Sequence, residues 1–222
     1  MVKAMSSTLP ATNSEWTAAD LMRRFGPIPL SRVRTRPAPG TATEQDVVSI
    51  HSREKRLCEL VDGILVEKTV GYFESAVAIR LVMLLGNFLK GKNIGQVFGP
   101  DGMMKLEWGL IRIPDVCFVS SERLRTVNLK PHAPLDVLSP NLAIEVLSAG
   151  NTAREMEEKL HDYFSHGVEL VWYCDPVEES VTVYRSPGDS RVVQHPESLT
   201  GEPVLPGFVV SLPELFAPLV AP

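Results

Sequence analysis

The chain has 222 residues, of which 44% are hydrophobic and 22% charged, and a formal net charge of −5. That length supports one domain with a full core plus an extension, in the composition range of a soluble globular protein. The acidic balance argues against a strongly basic nucleic-acid binder, because phosphate is contacted mostly by Lys and Arg. It leaves room for a nuclease whose carboxylates lower the net charge and whose basic residues form a local rim.

Cys58, Cys117 and Cys174 lie far apart in apolar, strand-like segments. They read as reduced core residues, which points to the cytoplasm. There is no C-x-x-C pair, and the His residues lack zinc-site spacing. No apolar stretch follows Met1, so no signal peptide is expected. The longest apolar stretch, residues 76–89, is interrupted by Arg80, Gly86 and Asn87. It is expected to be too short and too polar to span a bilayer, so no membrane partner is expected.

In chain order, residues 1–14 are polar and expected to be disordered. Thr17 caps a short helix, Ala18–Phe25, which Gly26-Pro27 ends. Residues 26–42 hold Pro27, Pro29, Pro37 and Pro39 and read as an extended linker or wrapping arm. The organisation is thus an N-terminal arm, 1–42, and a folded domain, 43–222. Residues 44–54 form a second short helix. Asp62-Gly63 between apolar runs predicts a hairpin over 57–67. Residues 73–90 form a helix apolar nearly all round, hence one expected to be well buried. Residues 97–106 give two short strands turning near Pro100-Asp101-Gly102, and 113–120 a further strand. A loop with Pro131, Pro134 and Pro140 leads to the strand around Glu145. Asn151 or Thr152 caps a helix running to about His166, with Gly167 as its stop. Residues 168–174 and 181–184 are strands, Val192-Val193 an edge strand, and 213–216 a short closing helix. The order predicts an α/β fold with one mixed sheet and helices against it.

Three charges stand out. Asp115 opens the apolar run Val116-Cys117-Phe118-Val119, and Glu145 sits inside Leu142-Ala143-Ile144-Glu145-Val146-Leu147. Both runs read as strands buried on both faces. A carboxylate there costs several kcal/mol unless it is paired or binds a cation. Two carboxylates about 4 Å apart repel by about 4 kcal/mol at an effective dielectric near 20. A hard cation reverses that sign and prefers oxygen ligands, among which the Val146 carbonyl is available. Lys159 lies on the following helix at the edge of the stripe formed by Met156, Leu160 and Tyr163, so its stem can lie along the core and its ammonium extend toward the strand ends. Plainer readings compete. Asp115 can cap a turn, Glu145 can pair with Lys159 or Arg154, and Lys159 can form an i,i+4 pair with Glu155.

The run Ile144-Glu145-Val146-Leu147-Ser148-Ala149-Gly150-Asn151-Thr152, continuing to Glu158-Lys159-Leu160, then Tyr163-Phe164, Gly167, Leu170-Val171-Trp172-Tyr173 and Asp175-Pro176, resembles the signature of the Uma-type restriction endonuclease family, within the PD-(D/E)XK nuclease superfamily. Glu59-Leu60-Val61-Asp62-Gly63, Arg112-Ile113-Pro114-Asp115 and Leu205-Pro206-Gly207-Phe208 fit the same pattern over roughly residues 43–216. The resemblance implies a restriction-endonuclease-like fold, a mixed central sheet flanked by helices. It implies Asp115, Glu145 and Lys159 as catalytic residues, and Asp115, Glu145 and Glu59 as ligands of Mg²⁺ or Mn²⁺, to which the preference of a hard cation for oxygen adds the Val146 carbonyl. It departs from the superfamily at Leu147, where many members carry the lysine, and at Glu74, where many members carry a histidine. The implied activity is metal-dependent endonucleolytic cleavage of phosphodiester bonds, in DNA, with a homodimer suited to cutting both strands. The rival is a DNA-associated or protein-interaction module that keeps the fold without turnover.

Overall fold

The computed structural model describes residues 15–69, 71–130 and 134–218. The expected disorder of residues 1–14 falls outside them. Helix α1 (Ala18–Phe25) starts at Thr17 through a capping box with Asp20, and Gly26 at φ 72° ends it. Leu21, Phe25, Ile28 and Val33 are buried together with Met156, Leu160 and Tyr163, so the described arm wraps onto the core. A second capping box, Thr43 with Asp46, opens α2 (Glu44–Glu54).

Strands β1 (Cys58–Val61) and β2 (Ile64–Glu67) form the expected hairpin. Asp62 and Gly63 both take positive φ, 51° and 70°, the pattern of a type I′ turn. A Cβ on Gly63 would lie 2.6 Å from the backbone of Gly40, because the arm crosses the turn and donates to the Gly63 carbonyl from Gly40 and Ala42, each at 2.9 Å.

Helix α3 (Tyr72–Leu89) corrects two expectations. Its Val77, Ala78, Leu81, Leu85 and Leu89 are buried, whereas Tyr72, Phe73, Ile79 and Met83 are exposed. It lies as a layer on a sheet, so its apolar residues fill one face and continue onto the other. By length and composition it also suffices to cross a membrane, and here its inner face packs into the core.

Among the described residues the expected single sheet is three. Strand β3 (Gly95–Phe98) belongs to one sheet, while β4 (Met104–Glu107) and the unanticipated β5 (Leu110–Arg112) belong to another. After β5 come β6 (Val116–Ser120), the short α4 (Ser121–Leu124), β7 (Leu142–Val146), α5 (Ala153–Ser165), β8 (Leu170–Asp175), β9 (Ser180–Ser186), β10 (Asp189–Val193), β11 (Ser198–Thr200), β12 (Val209–Ser211) and α6 (Leu212–Leu215). The six-stranded sheet runs β10-β9-β8-β7-β6-β3, the four-stranded sheet β2-β1-β5-β4, and β11 pairs β12. Among the described residues, only β7 and β8 pair in parallel in the central sheet, with α5 as their crossover. Pro114 explains the split. It has no N–H for a ladder, so the chain leaves one sheet after Arg112 and enters the other at Val116. The candidate site lies at this passage.

Candidate active site

In β7, Leu142, Ile144 and Val146 face the α3 side of the core, and Ala143 faces the α5 side. Strand alternation sends Glu145 to the α5 side as well. Strands β6 and β7 are antiparallel with Val116 opposite Ile144. One step further, Asp115 stands beside Glu145 on the same face. Extending the register again puts Pro114 opposite Val146, and proline has no N–H to offer the Val146 carbonyl.

Thr152 caps α5 in a box with Glu155. The Glu155–Lys159 pair of the plainer reading does not form. Glu155 instead holds the buried Arg32 of the arm through two bonds, 2.9 and 2.6 Å. Arg32 also donates to the Glu67 and Gly150 carbonyls, each at 2.9 Å. It thereby ties the end of β2 to the loop before α5.

Lys159, only 3% exposed, turns inward as predicted. Its Nζ lies 3.0 Å from Glu59 Oε1, and 3.2 and 3.3 Å from the two oxygens of Glu145. The Tyr163 hydroxyl donates to Glu145 Oε1 at 2.5 Å. Glu59 also accepts from the Ile113 N–H at 3.0 Å and from Arg112 Nη1 at 2.8 Å. Arg112 in turn donates to Asp162 at 2.9 and 2.5 Å. On the other side, Asp115 Oδ2 accepts from the Val146 N–H and Oδ1 from Lys68 Nζ, both at 2.7 Å. Lys68 also donates to the Ile113 carbonyl at 2.6 Å.

A cleft of about 330 Å³ opens here, lined among others by Lys68, Asp115, Glu145, Val146, Lys159 and Glu74. Asp115, Glu145, Val146 and Lys159 therefore share one cavity. Glu59 is not among its lining residues, and its oxygens are taken by Arg112, Ile113 and Lys159. Each of the two cleft carboxylates has a cationic partner, Lys68 for Asp115 and Lys159 for Glu145, the latter being the pairing that the plainer reading of Glu145 offered.

Burial pushes the Glu145 carboxyl up; Lys159 and Lys68 oppose that and do not overcome it. Burial also acts upward on Glu59, but Lys159, Arg112, Lys68 and the Ile113 N–H outweigh it and bring the carboxyl down to about 2. Burial would lower the Lys159 ammonium, yet Glu145 and Glu59 hold it above its ordinary value, so this lysine is charged. A depressed carboxyl stabilises the fold above its unfolded value and loses that contribution as pH falls through its folded value. The stability gap between the parent and Glu59→Gln is therefore expected to narrow as pH drops from 4.5 toward 2 in pH-dependent melting. A gap constant over that window would contradict the assignment.

Sequence reasoning missed Lys68, Arg112 and the Tyr163 hydroxyl. Tyr163 was legible in principle, because a buried phenol needs a partner. Lys68 carries no local signal, since its partner Asp115 is 47 residues away.

Of the oxygens that line the cleft, the Asp115 and Glu145 carboxylates, each now paired with an ammonium, and the Val146 carbonyl would make a hard donor set that suits Mg²⁺ or Mn²⁺. Two ammonium groups are lodged among these carboxylates, Lys68 against Asp115 and Lys159 against Glu145. Among the described residues, no group of three or more His, Cys, Asp or Glu forms a ready metal cage.

A crystal structure from Anabaena variabilis ATCC 29413, described as "a putative nuclease belonging to DUF820", is similar in fold, with a TM-score of 0.64 and 20% identity over 78% of this chain and 97% of that one. That likeness bears out the expected α/β architecture. No curated protein matches the chain. The profile of the Uma2 family, described as "Putative restriction endonuclease", matches residues 45–213. With the motif order, Asp115 just before β6, Glu145 in the adjacent β7 and the inward Lys159 already in place, that match over most of its length shows that the chain belongs to the Uma2 family.

Proposed function

We propose that this chain is an endonuclease that hydrolyses phosphodiester bonds of DNA with Mg²⁺ or Mn²⁺. The observation that carries this reading is the convergence of Asp115 and Glu145, from adjacent strands, on one cleft that also receives the Lys159 ammonium. Asp115, Glu145 and the Val146 carbonyl would hold the metal. When bound, the ion supplies charge to the scissile phosphate and acidifies a water. Lys159, kept charged by its carboxylate partners, would stabilise the developing negative charge through its own positive charge. Tyr163 fixes the Glu145 carboxylate from behind, and Glu59 anchors Lys159 in place of the ligand role the resemblance implies for it. Glu74 lines the cleft where many superfamily members carry a histidine, and no catalytic role is assigned to it.

The arm, 1–42, supports the site through Arg32, and residues 43–222 carry the nuclease domain. Two copies related by a two-fold axis would cut both strands of a duplex. Three free, buried cysteines support a reducing, cytoplasmic setting.

The test is plasmid nicking with Mg²⁺ or Mn²⁺. The parent should relax supercoiled DNA, and Glu145→Ala should lose at least ~10²-fold of that activity. Equal rates for the two proteins would overturn the assignment. No cleavage by the parent under either metal would leave the non-catalytic module as the better reading.

A further inference from the structure

The family resemblance maps Asp115, Glu145 and Lys159, and leaves Lys68 without a role. Lys68 stands one residue beyond β2. Its side chain is only 8% exposed. Its backbone is pinned, with the N–H donating to the Leu57 carbonyl at 3.0 Å. Its Nζ sits between two oxygens, the Ile113 carbonyl at 2.6 Å and Asp115 Oδ1 at 2.7 Å. These are the kind of oxygens a hard cation seeks, and one of them belongs to the carboxylate assigned to the metal.

The two lysines of the cleft differ in how they are held. Lys159 lies within 3.3 Å of three carboxylate oxygens, from Glu59 and Glu145. It is fixed from the middle of α5. Lys68 has a single carboxylate partner, and its four-carbon stem allows the ammonium to swing into the cleft without backbone movement. The cleft, at about 330 Å³, has room for it.

We propose that Lys68 is the resident counter-cation of Asp115 and competes with the divalent ion for that carboxylate. This inference rests on the metal site proposed above. The metal-free protein thereby keeps a half-buried carboxylate neutralised, at the cost of weaker metal binding. Loading the site requires the ammonium to leave Asp115, and its three donors then face the cleft where the substrate phosphate would lie.

The test is calorimetric titration of Mn²⁺ into the parent, Lys68→Met, Lys68→Arg and Asp115→Asn at one pH and ionic strength. Lys68→Met keeps the stem and removes the charge, so it should bind Mn²⁺ ~10-fold tighter or more, since an ion entering the site no longer meets a fixed positive charge. Lys68→Arg keeps the charge and should bind no tighter than the parent. Asp115→Asn should abolish the binding. If Lys68→Met fails to fold, as judged by circular dichroism, Lys68→Gln takes its place, keeping a donor for the Ile113 carbonyl without the charge. Asp115-dependent binding in the parent that is unchanged or weakened in the neutral variant overturns the proposal and leaves the metal reading intact. So does Lys68→Arg binding as tightly as Lys68→Met. No Mn²⁺ binding in either the parent or the neutral variant overturns both.

Discussion

Lys159→Met is expected to reduce cleavage by ~10²-fold or more while the protein still binds metal. The substitution keeps the aliphatic stem that packs beside Met156 and Leu160 and removes only the charge. That charge contacts Glu59 and Glu145 at 3.0 and 3.2 Å in a fully buried setting. The same change leaves two buried carboxylates without their shared cation, so it should also destabilise the fold by about 3–5 kcal/mol, the usual cost of breaking a buried pair from one side. Activity must therefore be compared per folded molecule, at a temperature well below the variant's Tm. A structural lysine would give normal activity per folded molecule with a lowered Tm. A catalytic one gives both losses, and bound metal would not restore the rate.

The second large effect falls outside the cleft. Arg112 is 2% exposed and bridges Glu59 and Asp162. Arg112→Met should cost about 3–5 kcal/mol, because Glu59 keeps only Lys159 and the Ile113 N–H while remaining buried. Asp162→Asn should cost far less, since its side chain, 14% exposed, reaches water. Chemical denaturation of the two variants checks the ordering. An Arg112→Met loss within about 1 kcal/mol, the range of an exposed pair, would mean that the network behind the cleft is not the rigid support described here.

Much of this fold is written locally in the chain. Thr17 and Thr152 announce their helices because capping chemistry is set within three residues, and Asp62-Gly63 announces its hairpin because only those φ values close the turn. The buried strands around Asp115 and Glu145 were legible from a charge inside an apolar run. What was not legible depends on partners distant in sequence. Nothing near residue 110 says that β5 pairs with β1, so the split into separate sheets was hidden although Pro114 marks the break. The outer face of α3 looked like core because composition does not say how many faces a neighbour covers. The site followed the same rule. Lys159 was reached from helix periodicity, whereas Lys68 and Arg32 meet their partners only through the fold.

Asp115 and Glu145 are proposed to bind one divalent ion together, and melting with and without metal reads that binding. Mg²⁺ or Mn²⁺ should raise the Tm of the parent by binding linkage. Lys68 already neutralises Asp115, so the rise should need higher metal concentrations than an open carboxylate pair would. Asp115→Asn leaves the buried Lys68 without its carboxylate partner, so its own metal-free Tm is the reference, and against that it should lose most of the rise. An equal rise in Asp115→Asn, or none in the parent at any metal concentration that leaves it soluble, would contradict the claim.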